Sequence, residues 1–310
     1  MGGPHAGGRL SAAGLLARCT FPPPGVALVC GVSGGADSLA LLILAVEFGC
    51  PTTAVHVDHG LRAGSAVEAE RVAAAASRLG AGFRSVRVEL APGSDLEARA
   101  RAARHAALGP AAALGHTADD RAETLLVNLL RGTGSAGLAS LRPGFRHPIL
   151  GLRRSETRAL CAEVGLEPVE DPSNTDPRFV RNRLRHEVLP LLAAVAGRDP
   201  VPLLVRTAEL AGADADLLDD LAATLDPTDA RALASAPLAL AARAVRRWLA
   251  GDGSGPGGPE RHPPDRATVE RVLAVAAGRA VACELPGGWR VARTGQTLRL
   301  ERGRNLAGPD

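Results

Sequence analysis

Residues 26–38, Val26-Ala27-Leu28-Val29-Cys30-Gly31-Val32-Ser33-Gly34-Gly35-Ala36-Asp37-Ser38, join an apolar run to a glycine turn, and residues 37–48 continue with helical apolar spacing up to Gly49. An apolar run closed by glycine and followed by a periodic segment reads as strand, turn, helix. The unit recurs: strand 53–58, helix 65–79 ended by Gly80, strand 83–90, helix 95–108, strand 111–115, and helix 119–130 ended by Gly132. Strands alternating with helices of this length predict βαβ units, and so an α/β fold built on a doubly wound parallel sheet. Ligands of such sheets bind beyond the carboxyl ends of the strands. The residues of this chain that carry chemistry fall at those ends.

The turn Ser33-Gly34-Gly35-Ala36-Asp37-Ser38 has the makings of an anion cradle. Two glycines let the backbone approach a phosphate closely, successive N–H groups and the positive end of the following helix face it, and the Ser33 and Ser38 hydroxyls complete the shell. Asp37 would repel a phosphate unless a divalent cation bridged them, which predicts Mg²⁺ at Asp37.

Asp119, Asp120 and Glu123 stand three and four positions apart and share one face of a helix's first turn, where the dipole favours ionised carboxylates. Beside a phosphate loop such a face can hold Mg²⁺ or a cationic substrate. Among the arginines, Arg101 pairs at i,i+4 with Glu97 and precedes Arg104 on the same helix; as a surface pair this is worth only about 0.3 kcal/mol. The run Arg178, Arg181, Arg183, Arg185 around Asn182 is denser and suits phosphate binding. His56 and His59 lack the spacing of a helical zinc pair and read as polar contacts near the nucleotide. Trp289 reads as a core anchor rather than a base-stacking platform.

The remaining organisation is less regular. Residues 148–150 and 169 read as short extended pieces around a helix at 155–164, and 179–189 as a helix stopped by Pro190. Ala/Leu/Asp-rich helices follow residue 200, then a Gly/Pro loop at 251–264, a helix at 268–277 and strands at 281–302 around Pro286-Gly287-Gly288. The expected division is a leader at 1–24, a catalytic α/β domain at 25–198 and a smaller helical or α+β domain at 199–310. No apolar run reaches the length of a membrane span. The five cysteines form no C-x-x-C pair, which predicts neither a zinc site nor a disulfide framework and suits a cytoplasmic chain.

Composition narrows the chemistry. Of 310 residues, 36 are basic and none is lysine, so every fixed positive side chain is arginine; tyrosine is absent and aromatics make up 2%. Lysine-dependent grips and nucleophiles are thereby excluded: the Walker-type loop, the kinase ion pair, Schiff-base anchoring and lysyl-adenylate ligation. Base recognition on a sheet of stacking aromatics is disfavoured as well. Coding bias toward Ala, Gly, Arg and Pro explains the missing lysine.

The hexapeptide 33–38 resembles the pyrophosphate loop of the ATP pyrophosphatase (PP-loop) enzymes, which cleave ATP between its α- and β-phosphates to adenylylate an oxygen and need no lysine to do so. Downstream segments resemble one branch, the tRNA(Ile)-lysidine synthetase family. Residues 56–62 are similar to its HVNHGLR segment, with Asp58 for Asn, and 97–105 to its EA-A-R-ARY helix, with His105 for Tyr. Residues 115–124 are similar to GHHADDQAET, departing at Thr117 and Arg121. Segments 131–138, 148–150, 170–174 and 181–187 continue the match, so that it spans 26–192 in order.

The resemblance implies an adenine nucleotide alpha hydrolase-like fold with ATP and Mg²⁺ as cofactors. ATP would lie on Ser33, Gly34, Gly35, Ala36, Asp37 and Ser38, with His56 beside it. Asp37, Asp119, Asp120 and Glu123 would be catalytic, and Arg101, Arg104, Arg181, Asn182 and Arg185 would bind tRNA or the adenylate. The implied reaction turns the wobble cytidine of a tRNA(Ile) with a CAU anticodon into lysidine, using free L-lysine. Residues 199–310 would recognise tRNA. Monomer and homodimer both remain open. A tRNA thiolase of the same fold would need cysteines near the site, and glutamine-dependent synthetases an N-terminal nucleophile where residue 2 is Gly. A catalytically dead arginine-rich tRNA-binding module would not need the intact loop and acidic triplet.

Overall fold

The computed structural model describes residues 12–58, 65–88, 96–170, 175–251 and 264–302. The chain divides into two compact units, Met1–Leu210 and Ala211–Asp310. The first begins with α1 (Ala12–Leu16), β1 (Leu28–Gly31), α2 (Ala36–Glu47), β2 (Thr52–Asp58), α3 (Ser65–Arg78), β3 (Gly82–Arg87), α4 (Leu96–Leu108), β4 (Ala113–Leu114) and α5 (Ala118–Leu130). The expected alternation of strand and helix is therefore present. All pairings are parallel, in the order β3-β2-β1-β4. The chain winds outward from β1 to β2 and β3, then returns across β1 to β4. Such a reversal of direction leaves a crevice between the carboxyl ends of the two strands that flank it, here β1 and β4.

Residues 39–45, an unbroken apolar run in α2, are all buried. A helix that is apolar on every side needs cover on every side. The sheet lies against one flank, and after α6 (Ser135–Leu138) the chain supplies α7 (Arg154–Val164) for another, with Leu160 and Cys161 in the same core. The site is thus built over a well-packed centre. The expected leader, read as loose or weakly helical, is from Ala12 onward part of this packing and carries α1: Leu15 and Phe21 are buried, the Phe21 and Phe48 rings stand 5.4 Å apart, and the Thr20 N–H donates to the Pro148 carbonyl at 2.8 Å. Burial of these side chains, with the hydrogen bond, offsets part of the entropy lost in ordering the segment.

Residues 148–150, expected to be extended, form a turn that places Ile149 and Leu150 in the interior. The helix expected to stop at Pro190 continues as α8 (Val180–Arg183), a π turn (Leu184–Val188) and α9 (Leu189–Ala196). In the π turn the Leu189 N–H reaches back to the Leu184 carbonyl. Pro190 then falls in the first turn of α9, where a missing donor costs little.

The division between units falls inside α10 (Val201–Ala223), beyond the expected boundary at 198/199. The start of α10 puts Val201 and Ala208 into a cluster with Leu125, Leu184 and Leu189, which keeps that part of the helix with the first unit. The second unit contains α11 (Ala230–Ser235), α12 (Leu238–Ala250), α13 (Arg266–Ala276) and an antiparallel sheet of β5 (Ala282–Leu285), β6 (Trp289–Thr294) and β7 (Thr297–Arg302). Leu233, Leu249, Val272, Val291 and Leu298 centre its core; Trp289 packs at the margin with the Arg302 guanidinium 5.5 Å from its ring. Among the described residues no single helix is long and apolar enough to cross a membrane.

Candidate active site

The loop after β1 is held by its own polar groups. Gly34 takes φ +89°, a conformation glycine adopts without a Cβ penalty, and its carbonyl accepts from the Val169 N–H at 2.9 Å. The Ser38 hydroxyl donates to the Gly35 carbonyl at 2.8 Å and accepts from the Ser33 N–H at 3.2 Å, while the Ser33 and Ser38 hydroxyl oxygens lie 3.3 Å apart. Gly35 caps α2, and Ala36 and Asp37 open its first turn. His56 is buried at the far half of β2, with Nδ1 3.0 Å from the Val32 carbonyl just before the loop. The strand end, the loop and the helix start therefore form one braced unit.

Across the crevice, α5 begins directly after β4. Thr117 caps it: its N–H and its hydroxyl each lie 2.9 Å from Asp120 Oδ2. Asp120 Oδ1 stays free of that cap and faces Arg154. Gly115 is what allows α5 to come this close, because a Cβ there would lie 2.6 Å from the Asp37 carbonyl oxygen and 2.9 Å from Ser38 Cα.

Arginines from three further elements meet the acidic face, and one of them also reaches the loop. At the start of α7, Arg154 reaches Asp37 Oδ2 (Nε, 3.5 Å), Asp120 Oδ1 (Nη2, 3.1 Å) and Glu123 Oε1 (Nη1, 3.0 Å). Arg153 is bidentate on Asp119, with both contacts at 3.0 Å, and also contacts Asp199. The Arg154 N–H donates to Asp119 Oδ2 at 2.9 Å, so Asp119 stands at the N-terminus of α7 and offsets the two cations placed there. From the π turn Arg185 grips Glu123 with two bonds, at 2.7 and 3.1 Å, and from α8 Arg181 Nε lies 3.2 Å from Glu123 Oε2 while its Nη2 contacts the Thr124 hydroxyl. The Thr157 hydroxyl donates to Asp37 Oδ1.

Of the residues singled out in the sequence, the structure gathers Asp37, Asp119, Asp120, Glu123, Arg181 and Arg185 into one network. Asn182 is buried and donates to the Asp176 carbonyl at 2.9 Å, which ties down the segment before α8. Arg104 is half-buried on α4; the Arg101 side chain, together with residues 59–62 and 171–174, lies outside the described residues. Sequence reasoning missed Arg153, Arg154 and Thr157. A signal for the arginines was present, since two cations at a helix N-terminus oppose the macrodipole and call for a nearby anion.

Electrostatics distinguish the carboxylates. Burial lifts the Asp37 carboxyl above its ordinary value, against the pull of Thr157 and Arg154 and with the push of Asp120. Burial also opposes ionisation of Asp120, but Arg154, His116 and the Thr117 N–H outweigh it and hold that carboxyl below the usual range. His116 in turn meets His147, their Nδ1 atoms 3.0 Å apart. Asp119 is likewise held low, burial being overcome by Arg153 and the Arg154 N–H. No group of three or more His, Cys, Asp or Glu among the described residues could hold a metal by itself. A lone carboxylate at the mouth of a phosphate loop fits Mg²⁺ that arrives with the nucleotide, because Mg²⁺ takes one or two carboxylates and completes its shell with phosphate and water. Cys30 and Cys161 are fully buried, and burial pushes their thiols up to about 12 and about 11, which suits packing and not nucleophilic attack.

The PP-loop domain family matches residues 15–192. The chain is 48% identical over 252 residues to the tRNA(Ile)-lysidine synthase of Nocardia farcinica (strain IFM 10152), covering 76% of this chain and 79% of that protein. It is 44% identical over 244 residues to the tRNA(Ile)-lysidine synthase of Mycobacterium tuberculosis (strain ATCC 25618 / H37Rv), covering 72% and 75%. Among solved structures, the U34-tRNA thiolase NcsA from Methanococcus maripaludis is similar with a TM-score of 0.49 at 16% identity, covering 64% of this chain and 77% of its own. A phosphate loop at the β1/β4 crevice, an acidic face across from it, and this degree of identity over three quarters of the sequence establish that the chain belongs to the tRNA(Ile)-lysidine synthase family of PP-loop enzymes.

Proposed function

We propose that this enzyme joins L-lysine to the wobble cytidine of a tRNA(Ile) bearing a CAU anticodon, in two steps at one crevice. ATP lies along residues 33–38, its phosphates met by the loop N–H groups and the start of α2. The cytidine C2 oxygen attacks the α-phosphorus; the new P–O bond replaces the α–β bridge, and pyrophosphate leaves. The lysine side-chain amine then attacks C2, the C2–O bond breaks, and AMP departs with the oxygen. Because the amine attacks as a free base, the ammonium first gives a proton to a carboxylate of the acidic face or to a phosphate oxygen. Asp37 would hold Mg²⁺ brought in with the nucleotide, and the ion would supply neutralising charge at the loop. The cytidine reaches the crevice by leaving its stack.

One observation carries this reading. Asp37 of the phosphate loop and Asp120 and Glu123 of the acidic face share a single guanidinium, each within 3.5 Å of it. A nucleotide on the loop and an ammonium on the acidic face would then be neighbours, as an adenylate and its attacking amine must be. Asp120 and Glu123 are assigned to the lysine ammonium and Asp119 to support, since Arg153 already holds it bidentately. His56 braces the loop through Val32. Arg181 and Arg185, both turned toward Glu123, serve the adenylate, and Asn182 fixes the approach to their helix. Arg101 and Arg104 on α4 are assigned to the tRNA, as is the second unit.

The test is incubation with ATP, L-lysine and a tRNA(Ile) transcript carrying CAU, followed by mass analysis of the nucleosides. Lysidine at the wobble position is expected, with AMP and pyrophosphate in equal amounts. Replacement of oxygen by sulfur would point to a thiolase, and an unchanged cytidine would overturn the reading.

A further inference from the structure

The acidic face is neutralised by the chain's own arginines. Asp37, Asp119, Asp120 and Glu123 are contacted by Arg153, Arg154, Arg181 and Arg185, four anions by four cations. Asp199, about half exposed at the rim, adds a carboxylate to Arg153 alone. An ammonium entering this network without displacing a guanidinium would bring like charges together where water is scarce. A cationic substrate therefore needs one arginine to yield its place.

The four arginines differ in how their contacts are distributed. Arg153 is bidentate on Asp119, and Arg185 makes two bonds to Glu123. Arg181 adds the Thr124 hydroxyl to its contact with Glu123. Arg154 makes single contacts to three different carboxylates, bidentate on none of them, and is the least exposed of the four, at 20% against 22% to 35%. It is also the arginine whose reach includes Asp37, beside the loop on which a triphosphate would lie. Phosphate oxygens arriving there offer Arg154 a stronger partner of the same sign as those it holds.

The geometry points to Arg154 as an exchange gate that makes lysine binding conditional on ATP. With the phosphate loop empty, its guanidinium fills the cation seat between Asp120 and Glu123. With nucleotide bound, it turns to the phosphate and leaves that seat to the lysine ammonium. Arg154 acts through the carboxylates and is a positioning residue. The inference rests on the reading above in taking lysine as the cation.

Equilibrium binding of radiolabelled L-lysine to the full chain tests it, with and without saturating ATP and Mg²⁺ and without tRNA, so that no ATP is consumed. In the wild type, ATP should tighten lysine binding by about tenfold or more, and lysine should tighten ATP by the same factor, because coupling is reciprocal. In Arg154→Gln, lysine should bind without ATP about as tightly as the wild type binds it with ATP, and the factor should fall to about one. The sign separates a gate from a structural prop, whose loss would weaken lysine binding under both conditions. Should Arg154→Gln fail to fold, the wild-type factor measured from both sides and Arg154→Lys carry the test; the shorter ammonium spans fewer carboxylates and should lower the factor. A wild-type factor of one, or an undiminished factor in the variants, overturns the gate and leaves the proposed reaction standing. Absence of lysine binding under every condition overturns both.

Discussion

Glu123 has no exposed side-chain surface, yet it receives Arg154, Arg181 and Arg185. Removing one partner of a buried ionic network leaves the others desolvated and unpaired, so Glu123→Ala should cost about 3–5 kcal/mol in urea denaturation. Asp119 and Asp120 are held below their ordinary value of 3.8, and their contribution to stability is present above that value and lost as pH falls through the folded-state values. Asp37, lifted by burial, has the opposite sign: its contribution is full below 3.8 and is lost as pH rises through its raised value. Melting temperature should therefore drop on acidification below about pH 3.8, less steeply in Asp119→Asn, whereas Asp37→Asn should melt higher than wild type at pH 7 while losing pyrophosphate release. The shared face of Asp119, Asp120 and Glu123 was legible from spacing alone. Arg153 and Arg154 at a helix start signalled only that an anion lies nearby; that this face supplies it was not legible, because some thirty residues of chain separate them and only the fold brings them together.

At the scale of elements, the contact between the β4–α5 corner and the start of α2 sets the distance from phosphate loop to acidic face. Gly115→Ala would drive a methyl group against the Asp37 and Ser38 backbone, which cannot give way as a side chain could. Its expected cost is about 1–3 kcal/mol, with ATP affinity, measured by titration calorimetry, falling more than the melting temperature would suggest. Glycine punctuation and apolar period revealed the four strands and their helices, since both are properties of short windows. The continuation of the helix past Pro190 was hidden, because the i→i−5 bond from Leu189 to Leu184 that makes room for it leaves no periodic trace. The turn at 148–150 was hidden for a related reason: Ile149 and Leu150 are apolar whether a strand or a core-facing turn buries them.

For the molecule as a whole, the alphabet has a chemical consequence. With 36 basic residues and no lysine, any grip on tRNA phosphate is guanidinium throughout, and a formal charge of +3 adds only a weak general field. Amine-acylating reagents should leave lysidine formation largely intact, for want of lysine side chains to modify, whereas an arginine-directed dicarbonyl should abolish it; residual activity after each treatment is the measurement. The second unit has a core of its own around Val272 and Val291. In the sequence it was visible only as a change of texture after residue 200, because its helices carry ordinary apolar spacing and no chemistry-bearing motif.

The sequence by itself determined that a lysine-free phosphate loop follows the first strand, that a parallel sheet carries it, and that three carboxylates share the start of a later helix. Each of these is a local pattern, set by periodicity, glycine conformation and helix geometry within a dozen residues. The strand order β3-β2-β1-β4, which puts loop and acidic face at one crevice, was decided by tertiary structure, as was the use of Arg154 to bridge them. Strand order depends on which side of the sheet each connection takes, and an ion pair depends on where two distant backbones come to rest; neither quantity exists in any short stretch of chain.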